Sequence, residues 1–168
     1  MAKEPKPWTP QQEKRGTPFI KLMSRANAWA YRRTKGRIGG TFVGGAPVAL
    51  LSTTGRKSGE VRTVPLIYLA EGDAVVFVAS KGGMSKHPLW YLNLTANPDV
   101  TVEIKDDRRE MVARTATADE KAELWPKLVA IYGEYDTYQA RTDREIPVVI
   151  CEPVTTGTRP RPAPGPGA

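Results

Sequence analysis

Two stretches of this chain place glycine beside Lys or Arg. Thr53-Thr54-Gly55-Arg56-Lys57-Ser58-Gly59 leads into Arg62-Thr63-Val64-Pro65. Ser80-Lys81-Gly82-Gly83 leads into Lys86-His87-Pro88-Leu89-Trp90-Tyr91-Leu92-Asn93-Leu94. Glycine lets backbone N–H groups come close to a ligand, and the cations add charge. Arg offers phosphate or carboxylate a two-pronged fork, and Lys offers a point charge. The pattern predicts a grip on an extended acidic ligand carrying phosphate. Arg56, Lys57 and Arg62 are the candidates for its anionic groups. The competing reading of Arg56 and Lys57 is a solvated turn, and that of Ser80 to Gly83 is an ordinary strand end.

Other chemistry is sparse. His87 is the one histidine; beside Pro88 at a helix start it suits a cap or a surface residue better than a catalyst. With no second histidine and a single cysteine, no metal site is expected. Tyr132, Tyr135 and Tyr138 recur every three residues, which on a helix keeps them on one broad side. Their hydroxyls could orient an acceptor or relay a proton; alternatively they form a packing stripe. Cys151 sits in an apolar run and reads as a small buried hydrophobe.

The 168 residues suffice for one domain with a real core. Net charge is +7, and Lys14 to Gly59 holds ten Lys and Arg with no Asp or Glu. The basic character is therefore a local patch, suited to nucleic acid, an anionic membrane or an anionic cofactor. No RNP, KH or zinc-finger pattern supports nucleic acid. The glycines form neither a dinucleotide fingerprint nor a phosphate-loop motif. Lacking an apolar leader, a long apolar run or a second cysteine, the chain is expected in the cytoplasm.

These residues need elements to hold them. Thr17 to Lys35 is expected as a helix, with Thr17 as cap and Pro18 at its first position. Phe19, Met23, Ala26 and Ala30 follow helical spacing, and Lys21, Arg25 and Arg32 share another face. With Phe19, Ile20, Leu22 and Met23 on one side and cations on the other, the helix could lie on an anionic membrane; the competing reading is a helix packed against the barrel with a solvated basic face. Strands are expected at 47–54, 62–69, 74–80, 100–104, 110–116 and 146–151, with hairpins at Glu71-Gly72-Asp73 and Asp106-Asp107. His87 to Ala96 is a short helix. Thr117 to Glu120 reads as a capping box for a second helix, which Pro126 should kink. Residues 1–16 are expected as a flexible arm, 17–154 as one domain, and 155–168, rich in Pro and Gly, as a disordered tail. Antiparallel strands with segregated helices predict an α+β or small β-barrel fold.

Taken in order, the Thr-Gly-Arg-Lys-Ser-Gly turn, Arg62-Thr63-Val64-Pro65, Ser80-Lys81-Gly82-Gly83 and Pro88-x-Trp90-Tyr91-x-Asn93-Leu94 resemble the deazaflavin-dependent nitroreductase family. The likeness continues through Ala96-Asn97-Pro98, Leu124-Trp125-Pro126, Tyr138-Gln139 and Arg144-x-Ile146-Pro147, and covers about residues 45 to 153. It implies a split β-barrel, reduced coenzyme F420 as hydride donor, and a small electron-poor acceptor (quinone, enone or nitro-aromatic). It also implies cofactor contacts from Arg56, Lys57, Ser58, Gly59, Arg62, Val64, Pro65, Ser80, Lys81, Gly82, Gly83, Lys86, Trp90 and Asn93, with Trp90 and Asn93 divided between cofactor and packing roles. Tyr132, Tyr135, Tyr138 and Ser80 would face the reaction. Alternatives are a carrier of F420 or a tetrapyrrole without turnover, or a basic module for nucleic acid or anionic membrane. The oligomeric state is left open.

Overall fold

The computed structural model describes residues 5–154, without the side chains of 14–25 and 43. Six strands close into an antiparallel barrel in the order β1-β2-β3-β6-β5-β4. They are β1 (Val48–Thr54), β2 (Val61–Glu71), β3 (Ala74–Val78), β4 (Asp99–Ile104), β5 (Asp107–Thr115) and β6 (Val148–Pro153). Four helices flank them: α1 (Pro10–Thr34), α2 (Leu89–Ala96), α3 (Ala118–Ile131) and α4 (Glu134–Ala140).

Period-two alternation fixes which side chains fill the barrel. Ala49 and Leu51, Val75 and Phe77, Val100 and Val102, Met111 and Ala113, and Val149 and Cys151 point inward and pack with Trp90 and Leu94 of α2. The intervening residues point out, under helices. Val76, Val78, Val148 and Ile150 lie under Leu124 and Leu128 of α3 and Tyr135 of α4. Val48 and Leu50 lie under Ala28 and Tyr31 of α1.

Several expectations change. α1 starts at Pro10, capped by Thr9 in a box with Gln12, and runs through Thr17-Pro18; Thr9-Pro10 supplies the same cap-then-proline signal with a box partner that Thr17 lacks. The expected arm at 1–16 is thus helical from Pro10. The face of α1 that meets the barrel is Ala28 and Tyr31, not Ala26 and Ala30. The hairpin between β4 and β5 turns at Lys105-Asp106, where Lys105 takes φ +59°. Pro126 lies within one continuous α3. The tail from 155 and the faces assigned to Phe19, Lys21, Met23 and Arg25 lie outside the described residues.

Topology gathers the candidate residues. β1 and β3 both run antiparallel to β2, so both finish at the same barrel end. Residues 55–60 leave β1 there and residues 79–88 leave β3 there. α2 and the start of β6 share that end.

Candidate active site

The 55–60 turn is built by its own backbone. Gly55 donates to the Glu60 carbonyl at 2.8 Å, and Gly59 donates to the Gly55 carbonyl at 2.7 Å. Ser58 Oγ accepts the Glu60 N–H at 3.2 Å. Gly59 has φ +69°, a conformation that glycine adopts without steric cost. Asn93 fastens the turn to α2: its Oδ1 accepts the Arg56 N–H at 3.2 Å, and its Nδ2 donates to Thr53 Oγ1 at 3.3 Å. Asn93 thus holds a loop. Arg56 and Lys57 are exposed and have no carboxylate partner among the described residues. Arg62 is already paired with Glu60.

Ser80 to Gly83 forms a tight turn with three successive left-handed residues: Lys81 (φ +47°), Gly82 (φ +65°) and Gly83 (φ +76°). A Cβ on Gly83 would come 2.6 Å from the Tyr138 carbonyl oxygen, so glycine lets this turn seat on α4. Cβ positions on Gly82 and Gly59 meet nothing within 4 Å. The Gly82 carbonyl accepts Trp8 Nε1–H at 2.8 Å and Arg141 Nη1–H at 3.4 Å. The Arg141 guanidinium lies between the Trp8 and Tyr138 rings, and its buried Nε has no partner. Lys86 is exposed.

Tyr132 closes α3 and Tyr138 lies on α4, so no single helix carries the three tyrosines. The two hydroxyls nevertheless meet at 3.0 Å. Tyr135 is buried beneath them in the outer core. Burial, with Tyr132 and Tyr138 alongside, pushes the Tyr135 phenol well above its ordinary 10.0. Burial and the hydrogen bond with Tyr132 do the same for Tyr138. Phe42 meets Tyr132 edge-on at 5.7 Å.

Two of the expected cofactor contacts pack on the barrel interior. Trp90 is 7% exposed within the barrel core, because α2 plugs the barrel mouth with it. Val64 packs against the same core, the inward parity of β2 directing it there. Pro65 has the outward parity. β2 is also the strand with no fully buried residue, leaving a half-open face along it.

His87 is no free base. Its Nδ1 lies 3.3 Å from Arg144 Nη1; burial first, then the guanidinium, lower its pKa below 6.5. No group of His, Cys, Asp and Glu able to hold a metal occurs among the described residues. Nor is any described helix long and apolar enough to cross a membrane. Trp8, Glu13 and Arg141 around the second turn escaped sequence reasoning. Their side-chain hydrogen bonds reach partners more than 50 residues away.

Residues 23–153 match the family model described as F420H(2)-dependent quinone reductase. The F420H(2)-dependent quinone reductase Rv1261c of Mycobacterium tuberculosis is 43% identical over 123 residues, covering 71% of this chain and 83% of its own. A second relative from that species is 42% identical over 117 residues, 70% of this chain and 98% of its own. A solved structure described as an F420-H2 dependent reductase (FDR-A) is 45% identical, with a TM-score of 0.60 over 63% of this chain and 94% of that one. Another, described as a domain-swapped dimer, is 39% identical, with a TM-score of 0.61 over 76% and 99%.

Proposed function

Because this chain belongs to the F420H(2)-dependent quinone reductase family, we propose that its two glycine turns grip F420H2 at one barrel end and deliver its hydride to a quinone. One observation carries the reading. Arg56 and Lys57, exposed on a turn that Asn93 clamps to α2, sit at the same end as the Ser80–Gly83 turn. The donor set fits the cofactor: two cations without carboxylate partners among the described residues, open space at Gly59 and Gly82, and an orphaned Arg141 Nε.

Bound F420H2 supplies the hydride. The chain binds and orients. Arg56 and Lys57 take the phosphodiester and carboxylates, with Arg62 shared from Glu60, and the amides around Ser80 to Gly83 line the ring end. Ser58, Pro65, Lys81 and Lys86 border the path along β2's half-open face. Trp90, Val64 and Asn93 act behind it, as core and clamp. Tyr132 and Tyr138 hold the acceptor: one hydroxyl donates to the other, which leaves one O–H free for a quinone oxygen. With its pKa raised, Tyr138 stays protonated near neutrality and serves as a donor rather than a base. Quinone reduction also takes up a proton, from solvent or from this pair.

The test follows F420H2 oxidation with menadione, an enone and a nitro-aromatic. Menadione-dependent turnover is expected, and the other two define the acceptor range. F420 binding without any turnover would make the protein a carrier. Replacing Arg56, Lys57 and Arg62 together with Gln should raise the F420 Kd about a hundredfold, at about 1 kcal/mol or more per charge-assisted contact. Unchanged affinity would overturn the assignment.

A second reading concerns location. Trp29 is 70% exposed and Ile38 59%, close in sequence to Arg33 and Arg37, which suits contact with an anionic bilayer from the cytoplasmic side. Arg32 and Lys35 are engaged instead with Glu103 and Asp106. Sedimentation with vesicles containing anionic lipid, but not with neutral ones, is the expected result.

A further inference from the structure

We propose that Arg144 is a positioning residue for the reaction: it holds the carbonyls of Ala79, Ser80 and Met84, in and beside the Ser80–Gly83 turn, on one side so that the amides of Ser80 and Lys81 face the ligand. The inference rests on the reading that this turn meets F420. Arg144 lies in the loop between α4 and β6. Its Nη2 donates to the Ser80 carbonyl at 2.7 Å, its Nε to the Met84 carbonyl at 2.8 Å, and its Nη1 to the Ala79 carbonyl at 3.3 Å. Nη1 also approaches His87 Nδ1. A guanidinium normally seeks a carboxylate fork, yet this one spends its donors on backbone. Its own position is fixed: Gln139 Nε2 donates to the Arg144 carbonyl, and Gln139 Oε1 accepts the N–H of fully buried Ile146, both at 2.9 Å.

The peptide unit is planar and trans, so its C=O and N–H point opposite ways. Drawing the carbonyls of Ala79, Ser80 and Met84 toward Arg144 turns the amides of Ser80, Lys81 and Ser85 away from it. One of these already meets an anionic group. The Ser85 N–H donates to Glu13 Oε1 at 2.7 Å, and the Ser85 hydroxyl donates to Glu13 Oε2 at 2.9 Å. The far side of the loop thus receives a carboxylate while Arg144 grips the near side. Within the turn the Gly83 and Met84 amides are taken by the Ser80 and Lys81 carbonyls, and Lys81 is the residue whose left-handed backbone carries a side-chain penalty.

The test compares Arg144→Lys and Arg144→Gln with the parent chain. The readouts are F420 affinity, KM for F420H2 and for menadione, thermal melting, and the NMR titration of His87, which the single histidine makes unambiguous. Arg144→Gln should raise the F420 Kd about tenfold or more while moving the menadione KM less than about twofold. It should also move the His87 titration up toward 6.5. Arg144→Lys, which keeps the charge but not the fork, should fall between. Folded variants with parental F420 affinity would overturn the proposal, as would equal losses for both substrates. An Arg144→Lys chain that did not fold would assign the residue to the barrel as a whole and overturn it too. A parent chain without F420 affinity would instead overturn the cofactor reading on which it rests.

Discussion

The Tyr31 hydroxyl accepts the Lys105 N–H at 2.7 Å and lies 3.0 Å from the Val48 carbonyl, to which it donates. The ring is fully buried, which contributes about 2 kcal/mol. The adjoining Arg32–Glu103 pair is half open to solvent on the arginine side and contributes about 1 kcal/mol or less. Tyr31 is therefore the stronger attachment of α1. Tyr31→Phe keeps the packing but strands the Lys105 amide and the Val48 carbonyl. A loss of about 1–3 kcal/mol is expected, seen as a Tm several degrees lower. An unchanged Tm would show that water replaces the hydroxyl at no cost.

Capping decides the elements. Thr117 and Glu120 exchange hydrogen bonds at the start of α3, and Arg114 clamps Glu120 while also reaching Glu152. Thr117→Ala should cost about 1 kcal/mol, a shift of a few degrees in thermal melting, without altering F420 affinity. Gly83→Ala should do the reverse in emphasis. The new methyl meets the Tyr138 carbonyl, pushing the turn off α4, so F420 affinity should fall by a larger factor than stability accounts for. The strands and the α3 box were legible because alternation and capping are local signals. α4 was not, since the three-residue tyrosine spacing runs straight across the break at Gly133. The site was half legible. Turn chemistry marked Arg56, Lys57 and Ser80 to Gly83, whereas Val64 needed the barrel's inward parity, and Trp90 the seating of α2 in the barrel mouth, to be assigned. The Arg144 contacts reach 57 to 65 residues along the chain, and no short-range pattern announces them.

Across the whole molecule, acidic protons are kept in all three apolar clusters. Burial is the first cause of a raised pKa for Tyr31, Tyr135 and Tyr138, and it pushes the Cys151 thiol up to about 12. In the unfolded chain the thiol ionises near its ordinary 9.0 and the phenols near 10.0. Above those values the unfolded chain gives up protons that the native chain retains. The contribution of these groups is therefore fully present below about pH 9 and is lost as pH rises toward the folded values. Melting temperatures measured from about pH 8 to about pH 11 should decline, and Cys151→Ala should remove the part that begins near pH 9. A flat profile would mean that the interior admits hydroxide without unfolding. The same ring of strands has another consequence. Every described strand is hydrogen-bonded on both flanks, β1 to β4 completing the circuit, so the barrel offers no template edge for fibrillar growth among the described residues. Aggregation must wait for the seam to open, and its rate should follow unfolding rather than protein crowding.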